Sequence, residues 1–206
     1  MKSDYTHITV ILDRSGSMES IREDIIGGFN AFVKDQRSQP GAATLSLIQF
    51  DSEDPFETIH SLAPIHKVPE LNRDTYVPRG GTPLLDALGR GIIDLERTID
   101  NMDNAEKPSK VIVVAITDGQ ENDSLEFTKD RIVKMIKDRS QKDDWQFVFL
   151  SADLAAIGDA MSYGIQPQAA LLFEKSRKGT FAAYSSLSAT ISQYRAGKKR
   201  KLGFAP

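Results

Sequence analysis

Short, almost entirely apolar runs recur along this chain, and amphipathic stretches separate them. The clearest runs are residues 8–12, 45–50, 111–116 and 147–150. Parallel strands that helices cover on both faces have this composition, because neither face meets water. Residues 57–65 are more mixed and follow a short polar turn, which predicts an antiparallel strand at the sheet edge. Residues 169–173 predict the last of six strands.

Apolar residues at helical spacing predict helices between these strands. The stripes are Ile21, Ile25, Phe29, Phe32 and Val33; Leu84, Leu85, Leu88, Ile92, Leu95 and Ile99; Ile132 and Ile136; and Phe181, Tyr184, Leu187, Ile191 and Tyr194. A short helix is also predicted at 152–163. Ser20-x-x-Glu23 has the pattern of a capping box, and Asp123-x-x-Glu126 predicts a cap for the third helix.

Alternating strands and helices predict an α/β fold of three layers. We expect a doubly wound, Rossmann-like, mainly parallel six-stranded sheet, with one antiparallel edge strand and helices on both faces. One domain is predicted over residues 1–196. Residues 197–206 form a short basic C-terminal tail, which we expect to be solvated and mobile.

The composition excludes several classes of site. The 206 residues include no cysteine, which removes disulfides, thiolate metal sites and cysteine nucleophiles. The net charge of −3 provides no global basic field, so no nucleic-acid partner is expected. No apolar run approaches the ~20 residues that span a bilayer, and the first residues lack the apolar segment of a signal peptide. We therefore expect a soluble, cytoplasmic protein without a membrane partner.

Oxygen-bearing side chains follow the predicted strands. Asp13, Ser15 and Ser17 come directly after the first run, Asp118 follows the central run, and Thr82 precedes Pro83 in the stretch GGTPLLDA. In parallel sheets, ligands bind at the carboxyl ends of the strands. Hard divalent cations take oxygen ligands, so these groups predict a site for Mg2+, with Mn2+ or Ca2+ as alternatives.

Each group also has a purely structural interpretation. Ser15 and Ser17 are suited to capping the first helix, and Thr82 is suited to capping the second. Asp118-Gly119 alone is a turn signal. The metal site is favoured because all three stretches fall at the same end of one predicted sheet, and every candidate ligand atom in them is an oxygen.

The three pieces together resemble the von Willebrand factor A domain family: DxSxS after the first strand, GGT before a helix and TDG after the central strand. The resemblance covers nearly the whole chain and is closest to stand-alone intracellular members. It implies that Asp13, Ser15, Ser17, Thr82 and Asp118 form a complete metal-ion-dependent adhesion site. It also implies binding rather than catalysis, with an Asp or Glu of a partner protein completing the metal shell. Intracellular members often serve in assemblies, frequently with an ATPase.

Three further residues are predicted to lie at the rim of this site and to contact the partner. Arg14 and Met18 flank the serines, and Asp51 follows the second strand at the same end of the sheet.

Two rival functions remain open from the sequence. One is a Mg2+-dependent phosphoryl-transfer enzyme or hydrolase with Asp13 as the nucleophile. Against it, dehalogenase-type sites carry Asp-x-Asp after the first strand, and Ser15 occupies the second place here. The other is a structural subunit whose ion only stabilises the fold.

Overall fold

The computed structural model describes residues 5–204; residues 1–4 and 205–206, the ends of the predicted domain and tail, lie outside the described residues. The strands are β1 Thr6–Asp13, β2 Ala43–Phe50, β3 Glu57–Pro64, β4 Lys110–Thr117, β5 Gln146–Ser151 and β6 Ala170–Leu172. The longer helices are α1 Arg22–Ser38, α2 Leu84–Asp100, α3 Lys129–Lys142, α4 Leu154–Ser162 and α5 Arg177–Arg195. Among the described residues, no helix is long and apolar enough to cross a bilayer.

The strands form one six-stranded sheet in the order β3-β2-β1-β4-β5-β6. β3 pairs with β2 in the antiparallel direction, and the other neighbouring strands are parallel. The predicted α/β fold, with a mainly parallel sheet and one antiparallel edge strand, is confirmed. Because β1 and β4 are central neighbours, the loops that follow them start side by side.

Alternate residues of each central strand face opposite layers of helices. In β1, Ile8, Val10 and Leu12 pack with α1 and α5, whereas Ile11 packs with α2 on the other face. Helices cover both faces, which explains why these strands are mostly apolar on both sides. The sheet therefore lies between two helical layers, with an apolar core on each side. The polar loops that follow the strands lie at the carboxyl edge of the sheet, outside these cores.

Helices α1 and α5 pack closely on one face of the sheet. A Cβ atom added to Gly28 would lie 2.2 Å from the ring of Tyr184, so only glycine permits this approach. Further along, the buried guanidinium of Arg195 donates to the main-chain and side-chain oxygens of Gln36 at 2.8 and 2.9 Å. This close packing accounts for a glycine in the middle of a helix.

The predicted caps differ from those in the structure. A 3-10 helix, Gly16–Ile21, precedes α1 and contains Ser20. The hydroxyl of Ser20 donates to the carbonyl of Ser17 and does not cap α1, so the predicted capping box is wrong. Thr128, rather than Asp123, precedes α3, and no side chain caps that helix. The local sequence pattern could not predict this helix start, because amides of the loop after β4 donate to Asp86 in the distant helix α2.

The predicted solvated tail is wrong at residues 202–204, whereas most of residues 197–201 are exposed as expected. Leu202 is buried at 3% exposure and belongs to the core beneath α5. Its amide donates to Oε1 of Gln146 at 3.2 Å, and the amide of Phe204 donates to the carbonyl of Gln168 at 2.7 Å. Leu202 and the partly buried Phe204 both pack against this core and hold the end of the segment on the domain.

Candidate metal centre

Asp13 ends β1 with its carboxylate fully buried. Its Oδ1 accepts a hydrogen bond from the amide of Ser15 at 2.6 Å, and its Oδ2 accepts one from Oγ1 of Thr117 at 2.6 Å. The hydroxyl of Tyr76 donates to the carbonyl of Asp13 at 2.6 Å. These contacts hold the carboxylate in one orientation between the two central strands.

The serine hydroxyls cap no helix. Ser15 precedes the 3-10 helix but makes no side-chain capping bond. Its Oγ lies 3.2 Å from Oγ of Ser17, and Oγ of Ser17 donates to Oδ1 of Asp118 at 2.5 Å. The capping interpretation is therefore wrong for these side chains. The hydroxyl of Ser17 contacts the carboxylate of Asp118, and the hydroxyl of Ser15 contacts that of Ser17.

Asp118 follows β4 and is buried at 1% exposure. Its Oδ2 accepts no hydrogen bond, although Nζ of Lys175 lies 3.0 Å away as an ion pair. The Lys175 side chain is 43% exposed, so water competes for its ammonium group. The ammonium group of Lys175 therefore offsets only part of the cost of burying this oxygen, and a bound cation would offset the rest.

Thr82 lies on the loop between β3 and α2, and this loop contacts both others. The carbonyl of Gly80 accepts from the amide of Gly16 at 3.0 Å, and Gly80 has a φ of +62, which favours glycine. The amide of Thr82 donates to Oδ1 of Asn122 at 2.8 Å. Thr82 is buried and does not cap α2, which is preceded by Pro83. The five predicted ligands thus belong to three loops that are bonded to one another.

The site disfavours negative charge. The pKa of Asp13 is raised to about 7: burial raises it most, the hydrogen bonds from Thr117 and Ser15 lower it, and the charge of Asp118 raises it. Two carboxylates close together in a dry setting need a positive charge between them. The remaining ligands are hydroxyls, and within residues 5–204 no group of three or more His, Cys, Asp or Glu is arranged to hold a metal ion. Oxygen donors with two acidic groups fit a hard divalent cation.

The predicted partner-binding rim is wrong. Met18 and Asp51 are fully buried, and Arg14 is 6% exposed. The guanidinium of Arg14 turns inward and pairs with Asp51 and Glu57. Asp51 also accepts from Nε of Arg79 at 3.1 Å. Arg14 and Asp51 join the loops after β1 and β2, and the buried side chains of Arg14, Met18 and Asp51 are unavailable to a partner.

No protein-family model matches the sequence, and no curated protein sequence matches it. The fold, however, is shared with solved structures. The pilus adhesin SpaC of Lactobacillus rhamnosus superposes with a TM-score of 0.67 at 14% identity over 92% of this chain. Proximal thread matrix protein 1 of the mussel byssus, with a zinc-occupied MIDAS motif, superposes with a TM-score of 0.61 at 14% identity over 91%.

A von Willebrand factor type A structure from Catenulispora acidiphila superposes with a TM-score of 0.57 at 12% identity over 91% of this chain. The chain has the von Willebrand factor A fold. It spans 30% of the length of the adhesin, 46% of the mussel protein and 42% of the C. acidiphila chain. The identities are low, so the likeness concerns the fold.

Within this von Willebrand factor A fold, sequence reasoning missed the groups that position the candidate ligands. Thr117 orients Asp13, Asn122 holds the main chain of Thr82, and Lys175 faces Asp118. The role of Thr117 could have been inferred from its position at the end of a strand, next to Asp118. No sequence feature indicated Lys175, because it lies in the distant loop between β6 and α5.

Proposed function

We propose that this protein is a metal-dependent protein-binding module. A divalent cation held by Asp13, Ser15, Ser17, Thr82 and Asp118 would capture an acidic side chain of a partner protein. The observation that carries the proposal is Oδ2 of Asp118. This oxygen is buried, accepts no hydrogen bond and is paired with the partly exposed ammonium group of Lys175, beside two hydroxyls that cap no helix.

The ligand set supports this chemistry. Two carboxylates balance the charge of a divalent ion, and neutral hydroxyls hold it without weakening its attraction for a further anion. The bound ion would supply a Lewis-acidic position for a carboxylate. Mg2+ is the first candidate, and Mn2+ and Ca2+ follow; the mussel protein with this fold holds zinc at its MIDAS motif.

A binding role is favoured over phosphoryl transfer by the residues that follow Asp13. In dehalogenase-type phosphoryl-transfer sites, a second aspartate stands two residues after the nucleophile. Ser15, which carries a hydroxyl, occupies that place here. We therefore propose that the protein is not an enzyme. An assay with an aryl phosphate and Mg2+ tests this: turnover that Asp13→Asn abolishes would establish the enzyme instead.

Thermal unfolding in EDTA and with Mg2+, Mn2+, Ca2+ or Zn2+ tests the ion site. An ion that binds only the folded state stabilises it by RT ln(1 + [L]/Kd), about 2.7 kcal/mol at a hundredfold excess over Kd. Ser17→Ala should lose most of this increment. Ser20→Ala is the matched control, because Ser20 is exposed in the same 3-10 helix and bonds only the Ser17 carbonyl. Equal increments in both variants would refute the site.

Capture of a carboxylate is tested by adding an Asp-containing peptide to the same titration. Because binding is reciprocal, the peptide should tighten the ion, and its Asn counterpart should not. An ion that stabilises the protein without any response to the acidic peptide would support the purely structural role. The cytoplasmic location and the ATPase-containing assembly stay predictions from the resemblance; cell fractionation tests the first and EDTA-sensitive co-purification the second.

A further inference from the structure

A groove of about 590 Å³ opens at the amino edge of the sheet, at the end opposite to the candidate ion site. Trp145 and Phe147, at the start of β5, line it, and α3, the segment before β6 and residues 201–202 contribute its walls. At about 3.3 Å per residue, β5 separates Trp145 from Ser151 at the carboxyl edge by roughly 20 Å. The volume lies in the range of small-molecule binding sites.

The lining of the groove is mainly apolar where it is buried and polar where it is exposed. The buried members are Trp145, Phe147, Ile165, Ala169 and Leu202, together with Gln146. The exposed side chains are Lys137, Gln141, Gln166, Gln168 and Lys201. A ligand that has an apolar body and one polar end matches this division.

The charge of the groove is positive, although the chain as a whole carries a net charge of −3. Among the described residues that line it, Lys137 and Lys201 are charged and none is Asp or Glu. Lys201 pairs with Asp144, but these side chains are 60% and 63% exposed, so water weakens the pair. Asp138, next to Lys137, pairs with Lys142 at 3.4 Å, and no carboxylate within residues 5–204 pairs with Lys137. The complementary ligand group is therefore an anion.

Main-chain hydrogen bonds hold the walls of the groove in place. The amide of Phe204 donates to the carbonyl of Gln168 at 2.7 Å, which joins the C-terminal segment to the segment before β6. The amide of Trp145 donates to the carbonyl of Arg139 at 3.2 Å, which joins the start of β5 to α3. Because the fold itself fixes these walls, a ligand orders little further backbone when it binds.

We propose that this groove is a second binding site, and that it takes a small organic carboxylate with an aliphatic or aromatic body. The body would lie on Trp145 and Phe147, with the carboxylate beside Lys137 and Lys201. Ammonium groups rather than a metal ion would hold the anion here. The inference does not depend on the proposed function, because the groove and the ion site lie at opposite edges of the sheet.

Titration of wild type with octanoate in EDTA tests the inference. Trp145 is the single tryptophan of the chain, so its fluorescence reports on the groove, and calorimetry measures the same binding. We expect saturable binding of octanoate, severalfold weaker binding of 1-octanol, which lacks the charge, and no saturation with acetate, which lacks the apolar body. Lys137→Gln should weaken octanoate binding about two- to fivefold. Lys134→Gln, which removes the same charge from α3 outside the groove, should bind as wild type does.

A change in the apolar lining provides a second test. Val133→Glu places a carboxylate in the α3 wall and should abolish octanoate binding, while thermal unfolding checks that the variant is folded. Absence of octanoate binding to wild type by both methods, or equal weakening in the Lys137 and Lys134 variants, would overturn the inference.

Two further outcomes would assign the observations elsewhere. Octanoate binding that needs a divalent ion and is lost in Ser17→Ala would place the carboxylate at the ion site, which overturns this inference and supports the proposed function. A wild-type dimer that Val133→Glu dissociates in sedimentation would assign the groove to a second copy of the chain, which also overturns the inference. Binding that persists in EDTA and weakens in Lys137→Gln alone of the two lysine variants supports the groove, whatever ion the other edge binds.

Discussion

Ser17 and Asp118 lie 101 positions apart in the chain, and Oγ of Ser17 donates to Oδ1 of Asp118 at 2.5 Å. This hydrogen bond joins the loop after β1 to the loop after β4. The two strands are neighbours at the centre of the sheet, so their ends meet without distortion of either loop. A candidate ion site is thereby assembled by the fold itself, with the second oxygen of Asp118 still without a hydrogen bond.

The buried carboxyl group of Asp13 predicts a pH dependence of stability. Burial raises its pKa in the folded protein to about 7, from the 3.8 of an aspartate in water. A raised pKa stabilises the fold fully below 3.8, and this stabilisation is lost as the pH rises through about 7. In EDTA, we expect the unfolding free energy of wild type to fall relative to that of Asp13→Asn as the pH rises from 3.8 to about 7. The expected fall is up to about 1.4 kcal/mol per pH unit.

Urea unfolding of both proteins at several pH values measures this difference. A divalent ion should reverse the trend, because it binds the deprotonated carboxylate. If the unfolding free energies of the two proteins changed in parallel with pH, the prediction would be contradicted.

The paired glycines of α1 predict opposite effects of the same substitution. Gly28→Ala places a methyl group 2.2 Å from the buried ring of Tyr184, and overpacking of this kind costs about 1–3 kcal/mol. Gly27→Ala meets no atom within 4 Å and should stabilise the helix by roughly 0.5–1 kcal/mol. Chemical denaturation measures both. If Gly28→Ala were as stable as Gly27→Ala, α5 could not pack on α1 as described.

Asp86 predicts coupling between α2 and the candidate ion site. Asp86→Ala removes the acceptor of three amides in the loop after β4, and each donor left without a partner costs about 1–3 kcal/mol unless water reaches it. We expect faster hydrogen exchange at residues 125–127 and weaker ion binding. Asp94→Ala, an exposed residue of the same helix, is the control. Unchanged exchange at these amides would argue against the bracing role.

The packed C-terminal segment predicts a cost for a change near the end of the chain. Leu202→Ala should lower the unfolding free energy by about 2 kcal/mol or more, because a buried leucine is lost from the core. Lys198→Ala, at an exposed position of the same segment, should change it by less than about 0.5 kcal/mol. Thermal unfolding compares the two. Equal stability would mean that the segment does not pack on the domain.

Sequence by itself determined the elements and the chemistry of the candidate site. Apolar runs and helical stripes are local signals, so the six strands and the helices between them could be predicted, including the antiparallel edge strand. Asp13, Ser15, Ser17 and Asp118 could be placed at one edge because parallel strands end on the same side. Only the tertiary structure decided which side chains face that edge. Arg14 and Met18 turn inward, Lys175 reaches Asp118, and Leu202 enters the core. Side-chain direction there depends on partners from distant segments, and no local pattern encodes them.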